Sequence, residues 1–136
     1  MNTAMNNAIS ALKTHQIKMD VTAHNVANVN TNGFKSSSVT FKDAHPQTIQ
    51  EAGAAGNGRG GINPMQVGNG VAASSIGKNE APGAMMSENG DIFEMSNTNL
   101  TKELTDMITT QRGFEANVKT IKTADEMLEE LTKLKK

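Results

Sequence analysis

The sequence predicts a mainly α-helical protein. Its N- and C-terminal helices pack as an antiparallel coiled-coil-like pair, with an extended Gly-rich middle and a short β-hairpin between them. Three observations carry this expectation. Near both ends, apolar residues recur at alternating intervals of three and four. The middle holds most of the 12 Gly and few large apolar side chains. Within it, Asn89-Gly90 lies between two flanking arms, a type I′ hairpin signal.

The first helix is expected over about residues 3–28, roughly 39 Å at 1.5 Å per residue. Met5, Ile9, Leu12, Gln16, Met19, Ala23 and Val26 form its seam, interrupted by Gln16. Ala4, Ala8 and Ala11 flank the seam and allow a neighbouring helix to approach closely, and Asn2 or Thr3 is available as an N-cap. The last helix, within residues 97–136, repeats the pattern with Leu100, Leu104, Met107, Gln111, Phe114, Val118, Ile121, Ala124, Leu128 and Leu131. Asn97 to Thr101 supplies its caps, and Lys133, Lys135 and Lys136 suit the negative end of the helix dipole. Residues 1–28 and 97–136 thus form one helical domain, with residues 29–96 as the segment between. Gln16 and Gln111 each break an apolar row. They either meet across the seam, which sets Met19 near Ile108 and Met5 near Lys122, or each faces solvent or another subunit.

Residues 51–80 lack the apolar surface to offset their ordering entropy. Within and beyond them, PMQVGNGVAASSI (64–76) reads as a short extended strand. AMMSENGDIFEM (84–95) reads as the hairpin, with Met86 opposite Phe93 and Glu88 opposite Asp91.

Composition excludes more chemistry than it suggests. A formal net charge of -1 gives no global drive towards nucleic acid or an anionic membrane. The absence of Cys removes disulfides, thiolate zinc sites and a Cys nucleophile. Gly56, Gly58 and Gly61 match GxGxxG without the strand and helix that motif needs. His15, His24 and His45 lack metal spacing and read as polar flanks. The acidic residues of the last helix read as a solvated face with Glu115–Lys119 and Glu129–Lys133 pairs. No catalytic residue, cofactor, metal, nucleic acid or small-molecule ligand is expected. With no apolar run at the start, neither a Sec signal peptide nor membrane insertion is expected.

One stretch asks for more than a generic helix end. HNVANVNTNGFK (24–35) places Asn25, Asn28, Asn30 and Asn32 around a helix stop, with Gly33 suited to a positive φ. Phe34 anchors the departing chain, which alternates from Lys35 to Phe41 as an extended arm.

These residues resemble the N-terminal signature of the flagellar rod and hook family of axial proteins, close to NxANxxTxGFK, carried here by Asn25, Ala27, Asn28, Thr31, Gly33, Phe34 and Lys35. Asn32 stands where Pro is common. SNTNLTKELTDMITTQRGFEANVKTIKTADEML (96–128) is similar to the family's C-terminal helix, with Gln111, Arg112, Phe114, Ala116, Asn117, Lys119, Thr120 and Asp125 on its motif positions. PMQVGNGVAASSI looks like the segment that follows the first helix in hook and distal-rod members. Those members insert β domains for which this chain has no room.

The resemblance implies a structural subunit of the bacterial flagellar axis, in the rod or rod/hook region of the basal body. It would assemble with itself and other axial proteins into a helical tube that transmits torque. It implies passage through the flagellar type III export machinery and no enzymatic activity. It also implies that Met5, Ile9, Leu12, Met19 and Val26 pack on Leu104, Met107, Phe114, Val118 and Ile121. The alternative is a soluble or export-apparatus adaptor that binds an axial protein through rod-like helices.

Overall fold

A computed structural model describes residues 2–53, 61, 63–88 and 90–134. Gly56 and Gly58 of the GxGxxG match, Asn89 of the hairpin turn, Lys135 and Lys136, and the side chain of the cap candidate Asn2 lie outside the described residues.

Two long helices bracket six short strands: α1 (Asn2–Ala27), β1 (Ser37–Asp43), β2 (Gln47–Gln50), β3 (Met65–Val67), β4 (Val71–Lys78), β5 (Met85–Glu88), β6 (Asp91–Glu94) and α2 (Leu100–Leu134). Three separate two-stranded sheets pair β1 with β4, β2 with β3, and β5 with β6, all antiparallel. Of the described residues, 49% are helical and about 25% are strand, which corrects the expectation of a mainly α fold with an extended middle. The extended arm after Lys35 and the strand over 64–76 were expected singly, and their pairing as a sheet was not, because the half-buried positions of β1 and β4 carry only Ser37, Val39, Val71 and Ala73, too little apolar surface to announce a sheet.

The physical reason that such strands form lies on α1. Its side chains bond the strand backbone directly: Asn7 donates to the Gly68 carbonyl at 3.0 Å, the Ser10 hydroxyl accepts from Val71 N–H at 3.3 Å, and Thr14 donates to the Val71 carbonyl at 3.2 Å. Asn7, Ser10 and Thr14 recur at helical spacing, so α1 has a polar stripe that holds a sheet as well as an apolar stripe that meets α2. The expected strand over 64–76 is divided by Gly68-Asn69-Gly70. Gly70 has φ 86°, and a Cβ there would strike Ser10 Oγ and stand 3.0 Å from Asn7 Cα. Only glycine lets the chain turn this close to the helix. A bulge at Thr40/Phe41 bends β1 where it passes α1.

The β5–β6 hairpin has the register that Asn89-Gly90 predicts, with Met86 opposite Phe93 and Glu88 opposite Asp91, and Gly90 takes φ 92°.

The helices run antiparallel. Lys18 Nζ lies 2.9 Å from Asp106 Oδ1, His15 faces Gly113, and Ala4 shares a cavity wall with Ala124. α2 starts at Asn99, whose side chain accepts from Lys102 N–H at 3.1 Å and whose carbonyl accepts from Glu103 N–H at 3.0 Å.

Small residues make the closest contacts between the helices. The only apolar residues that are buried among those described are Ala8 and Ala124. The other buried positions are polar: Thr14, Thr22, Asn25, Ser36, Glu103 and Thr110. A core this thin leaves more of the conformational entropy to be offset by hydrogen bonds.

Candidate functional site

The Asn-rich loop after α1 and the segment that leads into α2 meet in one hydrogen-bonded junction. Asn25, 1% exposed at the end of α1, pairs with Ser37 through both amide atoms. Its Nδ2 donates to the Ser37 carbonyl at 2.7 Å, and its Oδ1 accepts from Ser37 N–H at 2.8 Å. The side chain thus acts as a strand partner for the first residue of β1. Asn28 closes the helix by donating to the His24 carbonyl at 2.9 Å and accepting from the Thr31 hydroxyl at 3.1 Å. Gly33, at φ 69°, reverses the chain, and its N–H donates to the Glu94 carbonyl at 2.7 Å. Phe34 is half-buried, its ring edge-on to His24 at 5.5 Å between centroids.

Asn97 mirrors Asn25 from the other side. Its Oδ1 accepts from Ser36 N–H at 2.8 Å, while its Nδ2 donates to the carbonyls of Asn79 at 2.7 Å and Ala81 at 2.8 Å. Lys35 reaches Glu94 at 2.5 Å and the Ala81 carbonyl at 3.0 Å, and Glu94 also accepts from Gly83 N–H. The Lys35 hydrogen bond, followed by that of Gly83, holds the Glu94 carboxyl below its ordinary range. Two distant pieces of sequence are therefore fixed to one another by amides and one ion pair, with little apolar burial. Glu94 and Gly83 were not singled out by sequence reasoning, and Asn97 was named there only among the candidate caps of the last helix. Their signal was faint: an Asn two residues before the N-cap, and an acid that ends a hairpin.

The seam residues divide into two sets. Met5, Leu12, Met19, Val26, Met107, Asn117, Val118, Ile121 and Leu128 are half-buried, while Ile9, Gln16, Leu104, Gln111 and Phe114 are exposed. Leu104 is 46% exposed and Phe114 40%, so the implied packing of α1 onto these two side chains is not complete within one chain. Gln16 and Gln111 line one shallow cavity with Met19 and Phe114, but Gln111 donates to Glu115 at 3.0 Å, and no hydrogen bond joins the two seam amides among the described residues. Ala27 is exposed at the last position of α1.

His15 departs from the polar flank expected of it. It sits at the crossing of α1, α2 and β1, edge-on to Phe41 at 5.8 Å, against Gly113, with its Nδ1 buried and unpaired. Burial, reinforced by the Lys18 charge, lowers its pKa from 6.5. Glu115 pairs with Arg112 rather than with Lys119, whereas Glu129–Lys133 forms as expected at 2.9 Å.

Outside the junction, large apolar side chains stand open in rows. Leu100, Leu104 and Ile108 are 44%, 46% and 61% exposed along one side of α2, and Met127, Leu131 and Leu134 form a second row near its end. The hairpin presents Met85 and Ile92, and the β2–β3 ribbon presents Ile49 and Met65. Among the described residues there is no group of three or more His, Cys, Asp or Glu placed to hold a metal, and no helix is long and apolar enough to cross a membrane. Open apolar rows flanking a rigid polar junction are suited to contact with other protein surfaces.

Comparison with known proteins identifies both ends. Residues 5–35 match the family model described as flagella basal body rod protein, and residues 91–134 match the one described as flagellar basal body rod FlgEFG protein C-terminal. The chain is 42% identical over 87 residues to the flagellar hook protein FlgE of Borreliella burgdorferi, covering 64% of this chain and 20% of the relative. It is 52% identical over 68 residues to the flagellar basal-body rod protein FlgG of Bacillus subtilis, covering 50% and 26%. With the FlgE of Helicobacter mustelae it shares 34% identity over 107 residues, covering 78% and 21%. The chain thus spans about a fifth to a quarter of the length of these relatives. The matched segments contain the junction residues Asn25, Lys35, Glu94 and Asn97 and the open rows of α2, and on this ground the chain belongs to the flagellar rod and hook family of axial proteins.

Proposed function

We propose that this chain is a structural subunit of the bacterial flagellar axis, in its rod or rod/hook region, and that it assembles with copies of itself and other axial proteins into a helical tube that transmits torque. The observation that carries this reading is the open row Leu100, Leu104 and Ile108, which lies in the segment matched to the family's C-terminal model. A helix of a self-contained protein would bury such a row. A subunit keeps it for its neighbours.

Head-to-tail contacts that do not close generate open filaments. The exposed members of the seam, Ile9, Gln16, Leu104, Gln111 and Phe114, make such contacts in this reading. The half-buried members, from Met5 to Val26 and from Met107 to Leu128, hold residues 1–28 and 97–136 together as one helical unit. The Asn25–Lys35 junction sets the direction in which residues 29–96 leave it. The role is mechanical, with no enzymatic step and no cofactor. The chain reaches the axis, which runs from the periplasm to the cell exterior, through the flagellar type III export machinery. A thin core and the lack of Cys suit passage in an unfolded state.

The test is to purify hook–basal bodies from cells that carry a tagged copy and to locate the tag by electron microscopy. Label on the rod or hook is the expected result. Label missing from the axis and recovered in a soluble complex would overturn the reading in favour of an adaptor.

A further inference from the structure

In an Asn-Gly step the glycine nitrogen can attack the preceding side-chain amide, because glycine puts no side chain in the way. The sequence has four such steps, at Asn32, Asn57, Asn69 and Asn89, and those at Asn32 and Asn69 lie wholly within the described residues. Both of these Asn residues are exposed. They differ in the nucleophile. Gly33 N–H is held by the Glu94 carbonyl at 2.7 Å, and Phe34 N–H closes the turn onto the Thr31 carbonyl at 3.2 Å. Turning the Asn32–Gly33 peptide towards the Asn32 side chain breaks both bonds. At Asn69 the bonds fall on either side of the peptide instead. Asn7 holds the Gly68 carbonyl at 3.0 Å, Ala44 N–H the Gly70 carbonyl at 2.9 Å, and Ser10 the Val71 N–H at 3.3 Å. The Asn69 carbonyl and the Gly70 N–H have no hydrogen-bond partner among the described residues, so the peptide they share is not fixed by either group and its N–H is open to base.

We propose that Asn69 is a self-modification site, and that its rearrangement to isoaspartate unfastens β4 from α1. The Gly70 nitrogen gives up its proton and forms a bond to Asn69 Cγ. The Cγ–Nδ2 bond breaks, and the amide nitrogen leaves with that proton as ammonia. Water then opens the cyclic imide. Opening at Cγ yields aspartate, opening at the main-chain carbonyl yields isoaspartate, and nothing is oxidised or reduced. Isoaspartate carries the main chain through Cβ and Cγ, which lengthens the link from Gly68 to Gly70 by one carbon. The link has no slack to absorb it. Gly68 is bonded to Asn7, and Gly70 lies so close to α1 that a Cβ would strike Ser10 Oγ. The longer link displaces Val71 from Ser10 and Thr14, whose bonds at 3.3 and 3.2 Å start β4. The site stands on the geometry of this turn and draws nothing from the axial reading.

The experiment ages the full chain at mildly alkaline pH, once folded and once in guanidinium chloride, and follows both sites by peptide mapping with isoaspartate detection. Dividing each folded rate by the unfolded rate of the same site removes the effect of neighbouring sequence. The quotient is expected to be about tenfold or more higher at Asn69 than at Asn32, the factor set by the two hydrogen bonds that protect Asn32. Equal quotients, or a lower one at Asn69, would overturn the proposal. Hydrogen exchange at the Val71 amide tests the consequence. It is expected to be faster in the isoaspartate form than in Asn69→Asp, which adds the charge without the extra carbon. Equal exchange in the two would show that β4 stays fastened and would overturn that part.

Discussion

Replacing Asn25 by Ala removes the pair of bonds that starts β1. Both are short, 2.7 and 2.8 Å, and the side chain is 1% exposed, so water does not replace it. A net loss of about 1 kcal/mol for each of the two bonds, with about 1–2 kcal/mol more for the Ser37 groups left without partners, gives a cost of about 3–4 kcal/mol. That is a large share of the roughly 5–15 kcal/mol that stabilises a domain. Asn25→Asp tests the geometry separately. It retains an acceptor for Ser37 N–H but sets a carboxylate oxygen against the Ser37 carbonyl, so its cost is expected to be similar. Urea unfolding followed by circular dichroism gives the stability change, and hydrogen exchange at the Ser37 amide gives the local one. Both variants within about 0.5 kcal/mol of the parent, with Ser37 still protected, would refute the clamp.

Two further outcomes follow from the junctions around the helices. Gly113→Ala would stabilise an open helix by up to about 1 kcal/mol. Here the new Cβ would lie 2.8 Å from the His15 ring, so the melting temperature is expected to fall, and a rise would show that His15 is not seated there. Glu94 has a depressed pKa in the folded state, so its contribution is present above the ordinary carboxylate value of 4.5 and is lost as pH falls through the depressed one. Glu94→Gln is expected to lower the melting temperature at pH 7 and to flatten its fall towards pH 3. An unchanged acid profile would count against the Lys35–Glu94 pair.

Much of this arrangement was legible in the sequence, and the missing parts share a cause. The two helices followed from Met5 to Val26 and from Leu100 to Leu131, because apolar periodicity reports a helix directly. Asn89-Gly90 predicted the hairpin register, and Gly33 its own positive φ, because turn chemistry is local. The β1–β4 sheet was not legible. Its cohesion comes from Asn7, Ser10 and Thr14, which look like the solvent face of a helix until the strands they bond are known, and from Asn25, which was read as a helix-stop amide and not as a strand partner. Glu103 was lost in the same way, counted among solvated acids although it is buried. Periodicity tells which side chains share a face, and polar faces with a partner look like polar faces without one. The seam showed the converse: Leu104 and Phe114 have the spacing of a core and are left exposed.

The claim that these open rows are assembly surfaces is tested most directly at Ile108, 61% exposed in a chain that has no cysteine of its own. Ile108→Cys carries a single thiol, whose reaction with a maleimide is timed in the isolated chain and in hook–basal bodies that contain it. The account predicts rapid labelling of the isolated chain and protection in the assembled axis. Equal rates in the two states would mean that no neighbour covers this face of α2, and would contradict the account.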